Sequence, residues 1–440
     1  MSSRTPVVCT SIAAVAILGS AAFLTAGPLS PPGGPVTSSY KTLHDVEPRT
    51  PISLTNTPGD ADSLYRIAQP GSYYLTDNIT GVTGKAGIEI GASGVTIDLN
   101  GFRMQGVAGS LSGISADGAR DRITVRNGSV SGWGGDGVRL INAGSGFVVE
   151  NVLTASNVGS GITTSSNANI RSCTAQSNGL IGIYASLNAT ITNCTAIGNG
   201  SFGIEAVSES TISDCSASAN TLLGISIDNG GTISRCIARA NGSDGISGYQ
   251  GVAITGCAAY LNIGHGIRST VGCTITDSTG ANNSEDGIST GLGCTISACT
   301  ARNNTGNGIS CSNGGSIINC TTWSNSLDGI RAGSSSTITG NTCTSNGPGN
   351  PIGAGIHITG SDNRIEANNC TSNDFGIDVD AAGNFIVRNT CASNTQNFVI
   401  VTDCVYGSIV NRTVPGSAAV AGNTAASTLA STDANANFAY

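Results

Sequence analysis

The stretch Gly203–Asn241, GIEAVSESTISDCSASANTLLGISIDNGGTISRCIARAN, repeats itself with a period of 21 residues. Gly203-Ile204 returns as Gly224-Ile225, Thr211-Ile212 as Thr232-Ile233, Cys215 as Cys236 and Asn220 as Asn241. Read outward, the Gly-Ile or Gly-Val pair recurs from Gly87 to Gly376, with a 21-residue step at every repeat from Gly161 to Gly329. A second apolar column runs from Ile170 to Ile386 at the same step, broken by one six-residue insertion before Ile365. A third column is wholly asparagine: Asn157, Asn178, Asn199, Asn220, Asn241, Asn262, Asn283, Asn304, Asn325, Asn346, Asn373 and Asn394. Columns locked in one period define a coil.

Each coil reads as a strand at Gly-Ile-x-x, a turn, a strand at Thr-Ile-x, a bend and a short strand ending at the Asn turn. Like residues then stack about 4.8 Å apart in parallel strands, the Ile columns forming a dry interior. Asn tolerates left-handed backbone and its amide bonds to the Asn above and below, so the column reads as a structural ladder rather than a set of glycosylation sequons. The fold expected is all-β: a single-stranded right-handed parallel β-helix of about 15 coils, a rod on the order of 70 Å long. Helical and leucine-rich repeats are excluded, because neither 3.6-residue periodicity nor a Leu-x-x-Leu-x-Leu signature is present.

Composition agrees. The chain is 440 residues long and 10% charged, with 62 Gly, and only 4% of it is aromatic, which suits short strands and tight turns and not a solvated helical surface. A formal charge of −8 with no Lys/Arg run gives no basic patch for nucleic acid or an anionic membrane. Arg4, the apolar run Val7–Leu24 and small residues near Ala22 to Gly27 read as a signal peptide over 1–26, implying export to the medium or the cell surface and no membrane span after cleavage. Residues 27–79 are expected to form a leader and cap, 80–396 the solenoid, and 397–440 a closing cap and tail.

Fifteen cysteines would normally suggest a disulfide framework. Here Cys173, Cys194, Cys215, Cys236, Cys257, Cys299 and Cys320 share one column with Ser278, which Asn341, Asn368 and Asn389 continue; Cys343, Cys370 and Cys391 share another with Ala175 and Ala196. Interchange with Ser, Ala and Asn predicts a cysteine ladder of small buried thiols. Cys273 and Cys294, alone in their column, are the candidates for a bridge. Zinc is not expected, since a straight column does not converge four ligands.

The repeat resembles that of the pectin-lyase-like superfamily. Pro70-Gly71-Ser72-Tyr73-Tyr74-Leu75, Val95-Thr96-Ile97-Asp98-Leu99-Asn100-Gly101 and Ile123-Thr124-Val125-Arg126-Asn127-Gly128 look like the opening coils of bacterial right-handed β-helix proteins of unassigned function. The resemblance covers roughly residues 60 to 400 and implies the fold. It leaves activity open, because that superfamily contains lyases, hydrolases, epimerases and non-catalytic surface proteins.

The strongest candidate site precedes the repeated Gly: Asp244, His265, Asp286, Asn307 and Asp328 on successive coils. Asp244 and Asp286 lie two coils apart, about 9.6 Å, near the acid–base separation of an inverting glycosidase. Catalysis would fall to Asp244, His265 and Asp286, and substrate binding to Arg268, Asp328 and Tyr249. Gly264-His265-Gly266 is similar to the Gly-His-Gly element of polygalacturonases, but their Asn-Thr-Asp, Asp-Asp and Arg-Ile-Lys elements are missing. Hydrophilic turn residues explain the same column. Arg331, His357 and Asp378 share a second outward column. Glu285 with Asp286, or Asp374 with Asp378 and Asp380, could hold a structural Ca²⁺; no other cofactor is expected. Smooth 21-residue steps lack the loops that wall a substrate cleft, so the primary expectation is a non-catalytic scaffold contacting extracellular or cell-surface glycan or matrix. The alternative is a hydrolase or lyase acting on an acidic polysaccharide.

Overall fold

The computed structural model describes residues 47–141, 144–348, 353–411 and 432–440, and within them every regular element is a β-strand. Residues 1–26, read as a signal peptide, and the leader to residue 46 lie outside the described residues. Arg49–Tyr440 is one unit. Its strands stack in parallel register into three sheets wound as a right-handed solenoid.

The first sheet pairs Ile183, Ile204, Ile225, Ile246 and Ile267 one above another. The second pairs Ile191, Ile212, Ile233, Ile254 and Ile275, and the third Ala175, Ala196, Ala217, Ala238 and Ala259. All fifteen are buried. With a side-chain period of two, second-sheet strands such as Thr190–Thr192 bury one residue between two outward ones, whereas first-sheet strands such as Ile204–Ala206 bury both ends and turn only the middle residue outward.

The second sheet holds seventeen strands, from Thr50–Pro51 to Val405–Tyr406, where the columns predict about fifteen coils. The extra coils escape the period because the early steps are irregular: Tyr74 pairs with Asp98 and Asp98 with Arg126 before the 21-residue step begins. Parallel pairing accordingly runs beyond residues 80–396 in both directions, to Thr50↔Tyr73 and to Cys391↔Ala439.

Asparagine supplies the second structural principle. Asn220 Oδ1 accepts the Asn199 amide N–H at 3.0 Å and Asn199 Nδ2 at 2.9 Å, while Asn220 Nδ2 donates to Ala196 O at 3.2 Å and Asn241 Oδ1 at 3.0 Å. The same pattern repeats from Asn157 to Asn373. A buried amide with every donor matched has no desolvation penalty left uncompensated. The left-handed residue is not the ladder Asn but the one before it: Ser177, Ala219, Ala240 and Leu261 carry φ of 52°, 54°, 54° and 60°. Turning the chain one residue early is what points the Asn side chain inward.

The ladder also explains the repeated glycine. A Cβ on Gly245 would lie 2.5 Å from Asn262 Nδ2 and 2.7 Å from Gly266 O. Gly245→Ala is expected to destabilise the protein by roughly 1–3 kcal/mol through this overpacking, measured as a lowered denaturant midpoint with an unchanged slope. Gly118→Ala, where a Cβ meets nothing within 4 Å, is the control.

The fourteen described cysteines are free, and all except the half-buried Cys404 are buried. Cys273 and Cys294 therefore do not form the bridge their isolation suggests. Stacked side chains run parallel instead of facing each other, and the Cys273 amide donates to Cys294 Sγ at 3.3 Å. Hydrogen bonding to Cys294 holds the Cys273 thiol down at about 6.

Candidate functional site

The polar column preceding the repeated glycines lies along one edge of the first sheet, where each side chain caps an amide of the next coil. Asp244 Oδ1 accepts the His265 N–H at 2.9 Å, and His265 Nδ1 accepts that of Asp286 at 3.2 Å. Asp286 Oδ1 takes Asn307 N–H at 2.7 Å, Asn307 Oδ1 takes Asp328 N–H at 3.1 Å, and Asp328 Oδ1 takes Ala354 N–H at 2.9 Å. The other ring nitrogen of His265, Nε2, faces Glu285 Oε2 at 2.9 Å. Burial pushes the Asp286 carboxyl up, opposed by its bonds from Asn307 and the charge of His265.

The structure thus gathers Asp244, His265 and Asp286 in one column, and gives each a turn-capping bond. Arg268 stands outward with Nη1 3.6 Å from Asp244 Oδ2. Tyr249 is exposed on the strand Ile246–Thr255 of the preceding coil. The other aromatic residues do not join it as a platform: Tyr260 and Trp323 belong to the third sheet, and Tyr184 sits on the first sheet three coils earlier.

The column ends at Asp328, which begins a second arrangement. Arg331, His357 and Asp378 stack in register on the outward face of the first sheet. They line a cleft of about 360 Å³ with Asn307, Leu327, Asp328, Gly353, Phe375 and Asp380. The cleft lies at the six-residue insertion, of which residues 349–352 are outside the described set. His357 is held at both ring nitrogens, Nδ1 2.9 Å from Asp328 Oδ2 and Nε2 3.0 Å from Asp380 Oδ2. The Asp328 bond, with the help of Asp380 and against burial, raises His357 to about 9, so it is an imidazolium at neutral pH. Burial raises Asp378, and the His357 charge opposes it. Among the described residues Arg331, which is exposed, forms no ion pair.

Donor atoms of His357, Asp378 and Asp380 lie within 4.8 Å of one another, as do those of Asp244, His265 and Glu285. The first set offers two carboxylates and a protonated ring, which suits Ca²⁺ poorly, since that ion takes six to eight oxygen ligands. Asp374 does not join it; its Oδ2 is buried without a hydrogen-bond partner among the described residues.

The sequence missed the clamp itself. Asp328 and His357 are 29 residues apart, and the insertion between them breaks the phase that would have aligned them. The run Gly353 to Asp380, rich in Asp around one His, was the available signal.

Among the described residues no helix is long and apolar enough to cross a membrane. No curated protein matches the chain. Solved structures similar to it include the A-module of a mannuronan C-5 epimerase from Azotobacter vinelandii, 15% identical, covering 77% of this chain and 91% of that one with a TM-score of 0.38. The periplasmic alginate epimerase AlgG is 12% identical, with 75% and 83% covered and a TM-score of 0.44. The tailspike receptor-binding domain of siphovirus 9NA is 12% identical, with 88% and 80% covered and a TM-score of 0.37. The family model described as the right handed beta helix region matches residues 75–211, 112–257 and 210–342. With three overlapping matches spanning well over half its length, on coils whose register has just been traced, the chain belongs to the right-handed β-helix family.

Proposed function

We propose that this protein is an exported, non-catalytic β-helix scaffold that contacts extracellular or cell-surface glycan at the cleft between Asn307 and Asp380. One observation carries the reading: His357 has both ring nitrogens engaged by carboxylates, beside an exposed Arg331 without an ion-pair partner among the described residues. A doubly bonded imidazolium has no lone pair to act as a base, but it fixes positive charge on a rigid sheet. Arg331 adds a guanidinium fork that matches a sugar carboxylate or sulfate. Phe375 and Leu327 supply apolar wall for a sugar face.

The full chain is expected to bind an acidic polysaccharide such as polygalacturonate more tightly than a neutral glucan, with affinity falling as salt rises. Arg331→Ala is expected to weaken that binding by about tenfold or more, the loss of one charge-assisted bond, measured by calorimetric titration. Equal affinity of the variant and the parent would remove this site from the proposal.

A second reading, a hydrolase or lyase of acidic polysaccharide, is favoured by the half-buried Asp286 carboxyl, which is held above its ordinary range as a general acid requires. Release of reducing ends or unsaturated products from polygalacturonate, abolished in Asp286→Asn and His265→Ala, would establish it. Absence of turnover with retained binding leaves the scaffold.

A further inference from the structure

Five buried thiols on successive coils, Cys173, Cys194, Cys215, Cys236 and Cys257, form a run that the glycan reading does not use. Each sits at the bend between the second and third sheets, directly after a left-handed residue such as Ser172 or Asp214. Each thiol donates to a carbonyl of its own coil, Cys194 Sγ to Thr192 O at 3.2 Å and Cys215 Sγ to Ser213 O at 3.1 Å. The sulfur also accepts along the column, the Cys194 amide reaching Cys215 Sγ at 3.4 Å.

This spacing is wrong for a disulfide and right for a bridging ion. Parallel side chains on coils about 4.8 Å apart hold their Cβ atoms beyond the 3.5–4.5 Å that a disulfide needs. Two collinear metal–thiolate bonds of about 2.3 Å each span about 4.6 Å, close to the coil rise. A gap between two stacked sulfurs offers two ligands in line and never four at tetrahedral corners, which selects against zinc. Soft thiolates favour soft monovalent ions. Hydrogen bonding to the thiol one coil before, together with burial, pushes Cys194, Cys215 and Cys236 up to about 12, so at neutral pH the column keeps its protons against hard cations.

We propose that the thiol column is a linear binding site for soft monovalent metal ions, of the copper(I) or silver(I) class, one ion between each pair of stacked sulfurs. On binding, each S–H bond breaks, its proton leaves to solvent and metal–sulfur bonds form, with no change of oxidation state. Five thiolates enclose four gaps and hold four ions, for a net charge of −1. The ions enter from the bend, where Ser172 is exposed one residue from the sulfur.

The test is titration of the reduced full chain with silver(I), without oxygen, counting bound ions by native mass spectrometry and released protons in weak buffer. Cys215→Ser divides the run into two pairs with one gap each, so silver uptake is expected to fall by two ions relative to the parent. Ser278 already occupies this column in the folded protein, its Oγ accepting the Cys257 amide at 3.1 Å, so the variant keeps the amide bond. Cys404→Ser, a half-buried thiol outside the stacked columns, is expected to leave the count unchanged. Uptake that is unaffected by Cys215→Ser, or that occurs only after unfolding, would overturn the proposal.

Discussion

Replacing Asn241 by leucine is expected to destabilise the solenoid by about 2–6 kcal/mol, the largest effect of any single substitution proposed for this chain. Asn241 Oδ1 accepts the Asn220 amide at 3.1 Å and Asn220 Nδ2 at 3.0 Å, and its Nδ2 donates to Ala217 O at 3.2 Å and Asn262 Oδ1 at 3.0 Å. Leucine shares the branched heavy-atom shape, is bulkier, and makes none of these four bonds. Two donors on Asn220 are then left buried without an acceptor, each at roughly 1–3 kcal/mol. The defect also has a spatial signature. In a stack where each coil touches only its neighbours, stability is nearly a sum of local terms. A broken rung in mid-column should therefore split one unfolding transition into two, visible as a biphasic denaturant curve. Asn→Leu at Asn394, the last Asn of the column and only partly buried, should cost less. A single transition with an unshifted midpoint in Asn241→Leu would deny the ladder its role.

The second large effect is a pH dependence. His357 has a folded pKa of about 9 against an ordinary 6.5, so the folded state binds its proton more tightly than the unfolded state. Its contribution is complete below pH 6.5 and is lost as pH rises through 9. At pH 7 linkage puts it at about 2.5 kcal/mol as an upper bound, since the carboxylate partners are not equally sheltered: Asp328 is buried and Asp380 exposed. Denaturant midpoints between pH 6 and 10 should show the parent losing about 2 kcal/mol more than His357→Gln across that range. Curves that run parallel would mean the imidazole is not clamped in solution.

The solenoid was legible because its columns are each one residue type. Ile, Asn and Gly must recur where a rung has a fixed volume, a fixed pair of amides or no room for Cβ, and any exchange is costly. The left-handed residue before each Asn was not legible, because Ser177, Ala219 and Leu261 are tolerated there alike; the bend constrains backbone, while their side chains face away from the ladder. The polar column from Asp244 to Asp328 was visible as a column but not as a series of caps, since Asp, His and Asn can each offer one acceptor to the next amide. The His357 clamp was hidden for a different reason. Its partner Asp328 belongs to another column and meets it only where the insertion shifts the coil.

The asparagine column has closed ends. Asn157 Oδ1 accepts the Trp133 amide at 3.0 Å, and at the other extremity Asn394 Nδ2 passes its bond to Asn397 Oδ1 at 2.9 Å. Neither terminator senses how many rungs lie between them. Gene-level loss or duplication of one 21-residue unit would leave every donor matched, so the length of such a rod can drift by whole units over generations while the surface at either extremity stays the same.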